Sequence, residues 1–152
     1  MSNDVNRIEI GMTDTMFLRV TKILTFAGSQ PLTNASGFFY LHEGFLYLFT
    51  ARHVVIDELA NHRPDYLQVS LHADATELQQ RADVAIPLYV GGVPQWFQHP
   101  RFGSLVDVVA IAVNDPYLLS THDVSTFSGD DLLGSEEALP LGQDVLIIGF
   151  PL

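Results

Sequence analysis

Short apolar runs that alternate with polar residues, each closed by a glycine, proline or asparagine cluster, leave this chain little choice but a β fold. Residues 16–26 alternate Met16, Leu18 and Val20 with Phe17, Arg19 and Thr21, as a half-buried strand requires. Gly28-Ser29-Gln30-Pro31 and Asn34-Ala35-Ser36 then mark a loop. The aromatic runs Gly37-Phe38-Phe39-Tyr40-Leu41 and Phe45-Leu46-Tyr47-Leu48-Phe49 flank His42-Glu43-Gly44, a short turn whose glycine can take positive φ, and make the clearest hairpin. Residues 54–60 predict a single helical turn after His53, closed by Asn61-His62-Arg63-Pro64.

Residues 65–72 and 84–90 read as further strands, and Pro87 confines the second to an edge or a bulge. Residues 73–83 fit a hairpin loop or a short helical turn equally well. Trp96-Phe97 places an aromatic pair ahead of another loop, residues 107–113 read as a buried strand, and residues 144–150 as the last strand. Residues 114–140 form the longest irregular stretch. About seven short strands with no sustained helical periodicity predict an all-β barrel or sandwich.

At 152 residues the chain has the size of one domain with one core. Seven basic against 18 acidic residues, a net charge of −11, argue against nucleic acid as a partner, since phosphate binding needs clustered Lys and Arg. No apolar run reaches the ~20 residues that span a bilayer, so no membrane partner is expected. Residues 1–14 lack the apolar centre of a secretory signal, which points to the cytoplasm. A cysteine-free secreted chain would read the same way, and localisation stays open.

Two segments carry chemistry. Thr50-Ala51-Arg52-His53-Val54-Val55 closes an apolar alternating run, and Asp107-Val108-Val109-Ala110-Ile111 begins 54 positions after His53. An imidazole can take a proton from a hydroxyl nucleophile near neutral pH and return it to a leaving amine. A carboxylate on the other ring nitrogen fixes the tautomer and stabilises the imidazolium. His53 and Asp107 are therefore the candidate base and orienter, against the plain alternatives of a turn-capping histidine and a turn-closing aspartate. The third member is not apparent: no Gly-x-Ser-x-Gly string occurs, and there is no cysteine to supply a thiol.

Other residues rank lower. His42, His62, His72, His99 and His122 show no metal-ligand spacing and read as surface histidines, so neither a metal nor another cofactor is expected. Asp130, Asp131, Glu136 and Glu137 lack the alternating ligands of a calcium loop and read as a solvated loop. Ser36, Ser104 and Ser128 are the serines to weigh as nucleophiles. Ser128-Gly129-Asp130 has the look of a nucleophile turn but precedes the last strand. Trp96 and Phe97 read as core.

Ala35-Ser36-Gly37-Phe38-Phe39, Thr50-Ala51-Arg52-His53-Val54-Val55, Asp107-Val108-Val109-Ala110-Ile111 and Val145-Leu146-Ile147-Ile148-Gly149-Phe150-Pro151 occur in the order found in the first barrel of trypsin-like (chymotrypsin-fold) serine peptidases. The chain resembles the disulfide-free bacterial members of that family over about residues 17–152. Two positions depart from the family pattern: Arg52 stands where an alanine precedes the histidine, and Val109 where a small residue stands two after the aspartate.

The resemblance implies an all-β, six-stranded antiparallel barrel over residues 16–152, behind an amino-terminal extension of residues 1–15. It implies His53 as general base, Asp107 as its orienter, and a polypeptide as substrate. In that family the nucleophile and the oxyanion-hole amides come from a second barrel, so these residues alone are expected to be inert. Two alternatives stand beside this: a non-catalytic barrel serving as a binding or scaffold module, and a site whose nucleophile is a cysteine. Apolar surface that a second barrel would cover is expected to drive weak, concentration-dependent self-association through the face bearing His53 and Asp107, opposed by the net charge of −11.

Overall fold

In the computed structural model, which describes residues 16, 18–72, 81–113, 115, 124–134 and 139–150, the alternating runs become strands whose inward residues form one core. Strands β1 (Val20–Ala27), β2 (Gln30–His42) and β3 (Phe45–Thr50) run antiparallel in sequence order. A single helical turn, α1 (Arg52–Val55), follows β3 directly. Then come β4 (Tyr66–His72), β5 (Arg81–Pro87), the short β6 (Tyr89–Val90) and β7 (Val93–Pro94), β8 (Trp96–Gln98) and β9 (Val109–Ala112). The protein is all-β. Its main sheet, in the order β5-β4-β1-β2-β3-β9-β8, is antiparallel and curls into a half-barrel.

Seven strands share this sheet where six were expected, because the run after β4 is broken. β5 and β8 are its two edges, and only the β6–β7 hairpin separates them along the chain. At the root of that hairpin the Gln95 N–H donates to the Leu88 carbonyl at 2.9 Å. The curl thus brings the chain from one edge of the sheet to the other. Pro87 closes β5 on an edge, where its missing N–H costs no ladder bond.

The inward residues are Ile23, Phe39, Leu46, Leu48, Leu67, Val69, Leu71, Ile86, Val109 and Ile111, joined by Val54, Val55 and Leu88 from the connections. Successive strand residues point to opposite faces, so Leu48 in the middle strand lies opposite both Phe39 and Ile111. Two buried threonines are satisfied within the sheet: the Thr21 hydroxyl donates to the Ser70 carbonyl, and Thr25 bonds Thr33 at 2.8 Å. At Gly37, opposite Thr50, a Cβ would meet Ile23 Cδ1 at 2.7 Å and the Phe49 carbonyl oxygen at 2.8 Å. Only glycine fits there. The turn between β2 and β3 is the two-residue Glu43-Gly44, both at positive φ, which matches strand twist.

Two expectations are corrected. Residues 144–150 form no strand: they run without a ladder partner among the described residues, and Val145 and Ile147 are 76% and 91% exposed. An apolar β-branched run becomes a strand only where another strand offers its edge. The helical turn contains His53 instead of following it, because the chain turns at once after Thr50. The extension over residues 1–15, residues 73–80, and residues 114, 116–123 and 135–138 lie outside the described residues. Among the described residues no helix is long and apolar enough to cross a membrane.

Candidate active site

β3 and β9 are neighbours, and Thr50, the last residue of β3, lies opposite Val109, the first of β9. The three residues after Thr50 reach His53, and the two before Val109 reach Asp107. The pairing of two strands therefore juxtaposes two side chains that are 54 positions apart. His53 Nδ1–H donates to Asp107 Oδ2 at 2.7 Å, and the His53 backbone N–H donates to Asp107 Oδ1 at 2.9 Å. One carboxylate holds both the ring and the main chain of the histidine. An ionised carboxylate only accepts, so in the neutral ring this bond places the proton on Nδ1 and leaves Nε2 as a bare acceptor.

Desolvation by the surrounding chain pushes the Asp107 carboxyl up. The hydrogen bonds from the His53 main chain and ring, the His53 charge and the Arg52 backbone N–H outweigh it and hold the group below the usual carboxylate range. The two side chains are 61% and 59% exposed, which keeps the pair a modest contributor to stability, about 0.2–1 kcal/mol.

The turn bearing His53 is braced from outside. The Arg52 guanidinium forms a bidentate pair with Glu58, at 2.7 and 3.1 Å, and its Nε–H donates to Gln98 Oε1 at 3.2 Å. That hydrogen-bonded pairing draws the Glu58 carboxyl down to about 2 and raises the Arg52 guanidinium above its ordinary value. Asp57 shapes the loop by accepting the Leu59 and Ala60 amide N–H groups on Oδ1. His62 Nε2–H closes the loop on the Val54 carbonyl at 3.0 Å. Sequence reading treated Arg52 only as a departure from a pattern. Its partners lie 6 and 46 residues away, and no local signal marks them.

Two clefts open beside the pair. One, of about 400 Å³, is lined by Thr33, Asn34, His53, Val54, Asp57, Ala60 and His62. The other, of about 290 Å³ and almost wholly apolar, reaches Asp107 from the side of Gly37, Phe49, Val108 and Ile148.

The serines lie elsewhere in the bonding pattern. The Ser128 hydroxyl donates to Asp131 Oδ2 at 3.3 Å and caps the 3-10 turn Gly129–Asp131, while Asp131 pairs with Arg19 at 2.6 Å. Ser36 Oγ accepts the Phe150 N–H at 2.7 Å. Ser104 sits in an exposed turn. Among the described residues no hydroxyl is bonded to His53 Nε2.

His42 ends β2 beside Tyr40, and His99 Nδ1 accepts the Arg101 and Phe102 N–H groups, as loop histidines do. Among the described residues no group of three acidic or histidine side chains could hold a metal ion. His122, Glu136 and Glu137 lie outside the described residues, and His72 closes β4. Trp96 packs edge-on to Tyr89 against the core, but Phe97 is 62% exposed, since in β8 its side chain falls on the outer face of the sheet. Compared with protein-family models, curated proteins and solved structures, the chain matches none.

Proposed function

We propose that this chain is the base-bearing barrel of a trypsin-like peptidase, in which His53 acts as general base and Asp107 as its orienter for acyl transfer from a peptide to water. The single observation that carries the reading is the twofold grip of Asp107 on His53, through the ring at 2.7 Å and the main chain at 2.9 Å. A histidine that only capped a turn would need neither a fixed ring tautomer nor an open Nε2. With Nδ1–H committed to Asp107, Nε2 is the atom that would take a proton from a serine or cysteine and deliver it to the leaving amine. Neither Ser36 nor Ser128 is placed to be that nucleophile, so the reading assigns it to polypeptide outside the described residues.

A second reading is favoured by a different observation. The outer face of β2, β3, β9 and β8 presents Phe38, Tyr40, Tyr47, Phe49 and Phe97 around an apolar cleft of about 540 Å³. A barrel that binds a partner through this face, without catalysis, would keep the aromatics and have no need of an open Nε2.

The deciding experiment labels the protein expressed from its natural reading frame with a fluorophosphonate, for an activated serine, and with iodoacetamide, for an activated cysteine. Labelling that is lost in His53→Ala and sharply slowed in Asp107→Asn supports the peptidase reading. Labelling indifferent to both substitutions, or none at all, leaves the binding module. The 152 residues by themselves should label with neither reagent.

A further inference from the structure

Arg52 sits immediately before His53, its side chain is only 14% exposed, and three of its five N–H donors engage two other parts of the molecule. Glu58 belongs to the loop that follows α1. Gln98 is the last residue of β8 and lies opposite Val109 in β9, two residues beyond Asp107. A path therefore runs from His53 through Arg52 and Gln98 to β9, the strand that Asp107 leads into. It is separate from the direct bonds of the pair and closes a ring around it. A planar fork suits this task, since a lysine cannot hold a carboxylate by two bonds and reach a third acceptor at once.

We propose that Arg52 is a positioning residue, which ties the turn bearing His53 to the β8–β9 pair and so holds the imidazole in register with Asp107. The proposal rests on the reading of His53 and Asp107 as base and orienter. Asp107 is fixed by its place ahead of β9. His53 rides on a turn of four residues that has no side-chain cap at its start. A helical turn of that length does not hold itself. His62 and Glu58 secure its far side, and among the described residues Arg52 is the side chain that, apart from the direct bonds of the pair, links the turn to β8 and β9.

The test reads the ring proton of His53 in the 152-residue protein, by proton NMR with ¹⁵N-histidine labelling. Paired with Asp107, the Nδ1 proton should exchange slowly with water, and Asp107→Ala should make it exchange freely. Arg52→Lys, which keeps the charge and loses the fork, should speed the exchange about tenfold, the equivalent of one charge-assisted hydrogen bond. Gln98→Ala should speed it severalfold, and Gln98→Glu, which restores an acceptor for Arg52 Nε–H, should return it toward the native rate. Backbone amide spectra report whether each variant keeps the fold.

Should Arg52→Lys fail to fold, the Gln98 pair of variants decides by itself. A native exchange rate in folded Arg52→Lys and Gln98→Ala, with Asp107→Ala still freeing the proton, would overturn the positioning role and leave the base and orienter standing. A ring proton that exchanges freely in the native protein would overturn both.

Discussion

His53 and Ser128 are both held by an aspartate that takes one bond from the backbone N–H and one from the side chain. For His53 the aspartate is Asp107, 54 residues away; for Ser128 it is Asp131, three residues on. The second arrangement is a capping box, which a short segment can form whenever it turns, and it spends the serine hydroxyl in doing so. The first exists only because β3 pairs with β9. It consumes Nδ1 and leaves Nε2 unspent. A local grip of this kind stabilises a turn, whereas a long-range grip that keeps a reactive atom open is the form a catalytic base takes.

The largest way to break the comparison is to loosen the sheet that makes the long-range grip. Leu48 is fully buried between Phe39 and Ile111. Leu48→Ala should destabilise the fold by about 2–5 kcal/mol, measured by urea unfolding. Near the midpoint, the His53 ring signal should be lost together with the β-sheet signal. Loss of the ring signal well before the sheet would mean that the pair depends on something other than strand pairing.

Acid should separate the ion pairs. Asp107 and Asp131 both titrate below the ordinary carboxylate value, so each contributes stability that is complete above about pH 4. That contribution is lost as the pH falls through the depressed folded value. For Asp107 it amounts to no more than about 1 kcal/mol, given its exposure. Glu58, drawn down to about 2, should keep the brace on Arg52 charged through the ordinary carboxylate range. Carboxyl-carbon NMR titration checks each group, and a midpoint at or above the ordinary carboxylate value at Asp107, Asp131 or Glu58 would contradict the pairing seen there.

The smallest effect is expected at the local grip. Ser128→Ala should cost about 1 kcal/mol or less, read as a shift in urea midpoint, and should leave every His53 signal in place. A change at His53 in this variant would couple the two regions and blunt the contrast between them.

How much of this was written in the sequence divides along the same line. Periodicity of two in residues 37–41 and 45–49 places the hairpin and its turn, because the alternation is set by the chain's own pleat. The continuous apolar run at residues 144–150 reads as a strand and is not one, since pairing requires an edge that a single segment cannot specify. His53 and Asp107 are legible as a pair through the order of four short segments, and the β2–β3–β9 pairing accounts for why the first three of them meet. Arg52, Glu58 and Gln98 were not legible. A guanidinium and its acceptors leave no periodic trace, and only the folded geometry shows that residue 52 faces residue 98. Phe97 reads as core in the sequence because hydrophobicity records that a side chain avoids water, and not which side of a curled sheet it lies on.

The central claim is that Asp107 fixes the proton of His53 on Nδ1 and leaves Nε2 free to accept another. Nitrogen NMR of ¹⁵N-histidine-labelled protein at a pH where the ring is neutral tests it most directly, by showing which ring nitrogen carries hydrogen. The account predicts a protonated Nδ1 and a bare Nε2 in the native chain. In Asp107→Asn the proton should move to Nε2, because the introduced side-chain amide can donate to Nδ1 where a carboxylate could only accept. A native His53 with its proton on Nε2, unchanged by that substitution, would contradict the account.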